Sequence, residues 1–359
     1  MSNKKQIHYN LDNINKENAI YNLIFGEKSN GKSYQVKHKE AVEHYLKTGK
    51  RFILLRRWKE DISNLWIEQY FGDVDVEKLT DGKYNCITCY RKVLYLSNYN
   101  IEEAKAKRGE KIGYVMALST EQHYSGGSFL DVDRIIFEEF MERGNYIANE
   151  PDKLMILYST IDRKRGTTKL FMVGNTISRV CPYIVAWGLE KLFSSIKQGE
   201  IKTLLIKNDT VNIKIAIEYC KSSGGKNMAI GNASSMINSG SWQTFPQPKL
   251  PKSYKKYDCL FRFGFQYKSF KFLCEYLVDK EEGINPIWFV RPFYKDFSND
   301  LIVFSDVIKT SRYWQRDIYN ISLKNDKLRN LFMTFKENKI FYASDMCRNR
   351  FQTSNRFSN

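Results

Sequence analysis

Tyr21-Asn22-Leu23-Ile24-Phe25-Gly26-Glu27-Lys28-Ser29-Asn30-Gly31-Lys32-Ser33 is the stretch whose reading decides the fold. An apolar run enters Gly-x-x-x-x-Gly-Lys-Ser, the spacing of a phosphate-cradling loop. Its glycines let the backbone curl so that N–H groups face inward onto phosphate oxygens. Lys32 is set to reach the terminal phosphates of ATP, and Ser33 to offer its hydroxyl to Mg²⁺. Gly26, Glu27, Lys28, Ser29, Asn30, Gly31, Lys32, Ser33 and Tyr34 form the expected nucleotide-binding set. A helix predicted over 32–47 places its positive N-terminal end against the phosphates and stops near Gly49. A glycine-rich turn without a ligand is the plainer alternative; an apolar strand before it and a helix after it favour the nucleotide.

The second decisive stretch is Asp133-Arg134-Ile135-Ile136-Phe137-Glu138-Glu139-Phe140. A short apolar strand ending in two carboxylates suits a nucleotide hydrolase. Glu138 is expected to hold Mg²⁺ through water and Glu139 to polarise the attacking water. Adjacent strand residues point to opposite faces, so these two roles require the strand to end there. Spacing of Leu154, Leu157 and Ile161 predicts a helix over 152–163, closing in Asp162-Arg163-Lys164-Arg165. Arg163 or Arg165 could serve a neighbouring subunit as a trans-acting arginine; a basic helix end complementing the macrodipole is the alternative. Lys169 to Thr176 reads as a buried strand. Asn175 at its end suits a γ-phosphate sensor in ATPases that carry an added strand between the loop and carboxylate strands. Arg51 to Arg57 is another buried strand, with Arg56 and Arg57 as candidates for phosphate, neighbouring-subunit or nucleic-acid contact; charged solvent-facing ends are the alternative.

A net charge of +17 on 359 residues points to a polyanionic partner, nucleic acid being the commonest. The excess is spread, about +6 over 1–206, +4 over 207–252 and +7 over 253–359. No apolar run approaches the ~20 residues of a membrane span. The polar start lacks a signal-peptide core, which argues for an intracellular protein. Seven scattered cysteines read as reduced thiols, and Cys86-Ile87-Thr88-Cys89, lacking a second ligand pair, reads as two thiols at a hairpin turn.

Trp58–Tyr70 is predicted as helix, 84–88 and 91–96 as a hairpin, and 101–108 as a short charged helix. The loop 119–131, with Gly126-Gly127, suits a DNA-touching segment or a solvated connection. Three units follow: a mainly parallel α/β nucleotide domain over 1–206, a small linker over 207–252, and an aromatic, strand-rich domain over 253–359. In the last, lysines and arginines alternate with rings, making Lys255, Lys256 and Arg312 nucleic-acid candidates.

The glycine loop, Arg56-Arg57-Trp58-Lys59, Phe137-Glu138-Glu139-Phe140, Thr160 to Arg165 and Gly174-Asn175 occur in an order that resembles the phi29-type viral DNA-packaging ATPases, a terminase-like group. The similarity is good over roughly 20–190 and weaker beyond. It implies an additional-strand P-loop ATPase domain, a linker, and a C-terminal α+β domain resembling a degenerate RNase H-like nuclease. It implies a homopentameric ring on the viral portal, with a structural RNA, driving double-stranded DNA into a preformed capsid. The implied setting is the cytoplasm of the infected cell, transiently at the prohead, with no membrane. Lys32 and Ser33 match the loop pair, Glu139 the catalytic glutamate, and Arg163, with Arg165 close by, the trans-acting arginine. Glu138 stands where the group usually has Asp. The strand from Asp258 has no central acid, so DNA cutting is not expected. Competing readings are a helicase or translocase on RNA or single strands, and a nucleotide-gated DNA-binding module that does not move.

Overall fold

The computed structural model describes residues 8–103, 105–142, 146–177, 181–207, 212–224, 228, 230–231, 234–242, 249–267, 270–283, 286–305 and 313–315, and, between 330 and 351, residues 330–331, 333–335, 340–344, 347–348 and 350–351. The chain divides into two compact units, Met1–Gln243 and Thr244–Asn359.

In the first unit the described strands are β1 (Tyr21–Gly26), β2 (Arg51–Arg56), β3 (Cys86–Tyr90), β4 (Val93–Asn100), β5 (Lys105–Ala117), β6 (Val132–Glu138), β7 (Lys169–Asn175), β8 (Ile201–Lys207) and β9 (Asn212–Tyr219). They form one sheet in the order β3-β4-β5-β2-β6-β7-β1-β9-β8. From β5 to β9 neighbours run parallel; β3–β4, β4–β5 and β8–β9 are antiparallel. The central strands are apolar through their middle residues because both faces are covered there. Leu23, Phe25, Leu55, Phe137 and Met172 enter one core, while Ile24, Leu54, Ile136, Phe171 and Val173 enter the other. That is the two-residue alternation of a strand divided between two layers.

β7 lies between β1 and β6, where the added strand was expected. Parallel register then brings the ends of β1, β7, β6 and β2 to one edge: Gly26 pairs with Asn175, Glu138 with Val173, and Phe137 with Leu55. Such carboxyl ends border the ligand crevice of an open α/β sheet.

Some local expectations differ from the structure. Residues 105–108, expected in a charged helix, begin β5, because pairing with β4 satisfies the backbone and leaves the charges in solvent. The helix over 32–47 has a π segment, Lys37–Glu43, between two α segments, Lys32–Val36 and His44–Thr48. The helix expected at Trp58–Tyr70 is a 3₁₀ turn, Lys59–Asp61, followed by Asn64–Phe71, whose N-cap Ser63 accepts from the Trp66 N–H. A boundary at 206 separates two paired strands, since β8 pairs antiparallel with β9 and β9 (Asn212–Tyr219) pairs parallel with β1. Cys86 and Cys89 lie on β3 itself, an odd separation that sends them to opposite faces.

The second unit contains β10 (Tyr257–Tyr267), β11 (Phe270–Asp279), β12 (Ile287–Pro292), β13 (Val303–Ser305), β14 (Tyr313–Gln315) and β15 (Ile340–Tyr342). Their order is β14-β13-β10-β11-β12-β15, an antiparallel meander, β10 to β12, extended by parallel strands. Phe263, Phe265, Phe272, Trp288, Phe304 and Phe351 fill its core, which accounts for much of the aromatic content. No helix among the described residues is long and apolar enough to cross a membrane.

Candidate active site

The glycine loop leaves β1 and turns through Ser29 (φ 63°) and Gly31 (φ 93°) into the helix that starts at Lys32. Left-handed backbone at Gly31 costs nothing sterically without a Cβ. Lys32 is buried, and its Nζ donates to the Glu27 carbonyl, to Asn30 Oδ1 at 3.1 Å and to Asn175 Oδ1 at 3.4 Å. Burial pushes the ammonium pKa down, opposed by nearby Glu138 and Glu27. The loop is also tied from outside. Glu27 is buried and accepts from Ser222 Oγ at 2.5 Å, Ser223 N at 2.8 Å and Ser223 Oγ at 2.8 Å. The Tyr9 N–H donates to the Asn30 carbonyl at 3.1 Å. Lys28 and Ser29 are exposed, and Tyr34 packs against His38.

Glu138 ends β6 facing the loop. Ser33 Oγ donates to its Oε2 at 2.9 Å, and Tyr70 OH to its Oε1 at 2.8 Å. Burial pushes its carboxyl pKa up, and the two hydroxyl donors oppose that shift. A serine hydroxyl beside a carboxylate is an all-oxygen donor pair. It fits Mg²⁺, which takes few protein ligands and completes its shell with water and phosphate. Glu139 follows at φ 59°, left-handed for a residue with a Cβ. This turn is how adjacent acids leave the strand differently: Glu138 is buried, whereas Glu139 is half-exposed and accepts from Arg56 Nη2 at 2.9 Å. Arg56 also lies over the Trp66 ring, 4.9 Å from its centroid, and Trp66 stacks on Tyr70 at 5.2 Å. One short helix, Asn64–Phe71, thus braces both acids.

Arg56 is therefore part of this cleft. Arg57 is a correction: it is not available to nucleic acid. It is buried and donates to Glu150 at 3.0 and 2.9 Å, to the Glu139 carbonyl at 3.0 Å and to the Phe140 carbonyl at 2.8 Å. Glu150 is itself fully buried and accepts from Tyr183 OH at 2.6 Å and Ile147 N at 2.8 Å. The guanidinium holds the turn that presents Glu139.

The two trailing arginines separate clearly. Arg163 caps the helix Glu150–Asp162 in left-handed geometry (φ 47°) and is exposed, with one guanidinium bond, to the Gly127 carbonyl at 2.6 Å. Arg165 is spent on backbone carbonyls: Asp162 and Leu130 at 2.9 Å, Val132 at 2.7 Å and Ile161 at 2.9 Å. In the second unit Lys256 reaches Glu281 at 3.1 Å and Lys255 is exposed. Arg312 lies outside the described residues.

Sequence reasoning missed Tyr70, Trp66, Tyr9 and the Ser222-Ser223 pair. No local pattern marks them, because each acts through a partner distant in the chain.

Residues 3–349 match the family described as podovirus DNA encapsidation protein (Gp16). A DNA packaging protein of Bacillus phage B103 is 31% identical over 178 residues, 47% of this chain and 48% of the relative. The chain thus aligns with about half the length of that curated relative. Among solved structures, the phi-29 viral genome packaging motor assembly shares the fold at TM-score 0.57 and 19% identity, covering 98% of this chain and 100% of its counterpart. The phi-28 gp11 DNA packaging motor does so at TM-score 0.55 and 16% identity, covering 99% and 98%.

Proposed function

The chain belongs to the podovirus DNA encapsidation protein (Gp16) family, and on that premise we propose that it hydrolyses ATP to drive double-stranded viral DNA into a preformed capsid. The observation that carries the reading is the 2.9 Å contact of Ser33 Oγ with Glu138, which joins the loop after β1 to the end of β6. The two decisive stretches of sequence share one site.

In this reading the loop N–H groups and Lys32 bind the phosphates. Ser33 and Glu138 would hold Mg²⁺, whose chemistry there is to neutralise phosphate charge. Glu139 polarises the attacking water, and the turn held by Arg57 orients it. Asn175, bonded to Lys32 Nζ, reads the terminal phosphate. Arg163 is supplied to a neighbouring subunit, while Arg165 anchors the loop beneath it. The assembly is a homomeric ring, a pentamer by resemblance, acting on the portal at the prohead in the infected cell, with a structural RNA. The first unit is the P-loop ATPase domain. The second is the degenerate RNase H-like domain: its meander with parallel flanking strands supports that fold. Its buried acid Glu275 is neutralised by Arg291 at 2.8 Å and accepts from Tyr254 OH at 3.0 Å, which supports absence of cutting. The chain passes from the first unit to the second at Gln243–Thr244, inside the stretch 207–252 expected as a linker.

The test is ATPase rate against protein concentration, with and without duplex DNA. Turnover per subunit should rise with concentration and again with duplex DNA. Glu139→Gln should bind ATP and lose on the order of 10²–10⁴ in kcat. Stronger stimulation by single strands or RNA would select the helicase reading, and DNA binding without stimulated turnover the gated clamp.

A further inference from the structure

The outer half of β5 takes no part in the site. Lys105, Lys107 and Arg108 pair only with β4, opposite Asn100, Asn98 and Ser97, whereas pairing with β2 begins at Gly113. β3 reaches no further than Ser97. Beyond it, β4 and β5 continue as a ribbon past the parallel sheet, its β4 edge bonded by Asn85 and the Lys83 carbonyl as far as Tyr99 and two-stranded from Asn100 outward, and 105–109 are all exposed.

The ribbon is cationic on both faces. Alternation along β5 sends Lys107 and Arg108 to opposite sides. Arg108 lies over the Tyr90 ring at 4.0 Å and near Tyr95 at 6.0 Å, on the outer surface of the sheet. Lys107 stands opposite Asn98, in line with Leu94 and Leu96, which are buried further along the other face. Among the described residues no carboxylate lies within ion-pair distance of Lys105, Lys107 or Arg108. Glu110 is taken by Lys83 at 2.6 Å and Tyr45 at 3.1 Å. Glu102 and Glu103 sit in the connecting turn without pairing to these cations. The strand partners Asn98 and Asn100 are uncharged, so the ribbon is no ion-paired ladder.

We propose that this ribbon enters the major groove of the duplex DNA being moved, its two cationic faces meeting the phosphate backbones on either side. The major groove of B-form DNA admits a two-stranded ribbon. That of duplex RNA is deep and narrow, which selects DNA as the occupant. The inference rests on the DNA-motor reading and adds the contact surface to it.

The experiment measures binding of a short blunt duplex DNA against salt for the full chain and for Lys105→Ala/Lys107→Ala/Arg108→Ala. Three lost phosphate contacts should make the log–log salt slope shallower by about 2.7. DNA-free ATPase and nucleotide binding should stay at wild-type values. The swap Lys105→Arg/Lys107→Arg/Arg108→Lys should keep the wild-type slope. An unchanged slope in the alanine variant overturns the inference, as does aggregation as its only phenotype, which edge protection by charge would produce. Equal loss on duplex RNA of the same length overturns the choice of DNA. Failure of the motor reading has a separate signature: wild-type turnover that ignores duplex DNA.

Discussion

Arg163 and Arg165, two residues apart, show how little a residue's type says about its work. Arg165 saturates a set of backbone carbonyls, and Arg163 is held by one. Arg163→Ala should therefore leave the melting temperature within error and lower turnover in assembled rings by about 10³. Arg165→Ala should cost roughly 2–3 kcal/mol, read in a urea melt, because carbonyls at 130 and 132 lose a charged donor. If the costs fall the other way round, the assignment is reversed. Tyr70 makes a second residue-scale case. Removing its hydroxyl from Glu138 in Tyr70→Phe should raise the Mg²⁺ concentration for half-maximal turnover roughly tenfold, with ATP-independent stability little changed. An unaltered Mg²⁺ titration would make the Tyr70 contact incidental. Neither role was legible in sequence: Tyr70 lies 68 positions from its acid, and the arginines differ only in what surrounds them.

At the scale of elements, β9 and the N-terminal segment show an arrangement that composition hid. β9 completes the sheet beside β1, and its Glu218 accepts from Tyr9 OH at 2.7 Å, while Tyr9 N bonds the glycine loop. Burial pushes the Glu218 carboxyl up to about 7, with the tyrosine hydrogen bond opposing. A carboxyl raised in the folded state keeps its proton between the ordinary value and about 7. The folded state then binds more protons than the unfolded one, and stability falls as pH rises through that window. Glu218→Gln should flatten this dependence, with a gain of about 3 kcal/mol or less at pH 8 relative to wild type. Parallel pH dependence of the two proteins in denaturant melts would remove Glu218 as its source. The apolar strands and the glycine loop were readable because their patterns are local. Residues 105–108 read as helix because helix and exposed strand place charge in water equally well, and only pairing with β4 separates them.

For the whole molecule, catalysis shared between subunits is the prediction that matters. Mixing Arg163→Ala with Glu139→Gln subunits should recover part of the wild-type ATPase at mixed interfaces, each variant alone being inactive. Assembled mixed rings with no recovery would exclude a trans-acting arginine at 163. The net charge of +17 points to a polyanion but not to where one would bind. Of the two arginines at the end of β2, one became a brace for Glu139 and the other a buried partner of Glu150. The primary sequence by itself determined the nucleotide-binding proposal: a loop spacing, two adjacent acids and an apolar period are properties of neighbouring residues. Only the tertiary structure decided which charged groups stand together at the loop and which are buried in ion pairs, because burial and partner distance depend on strands far apart in the chain.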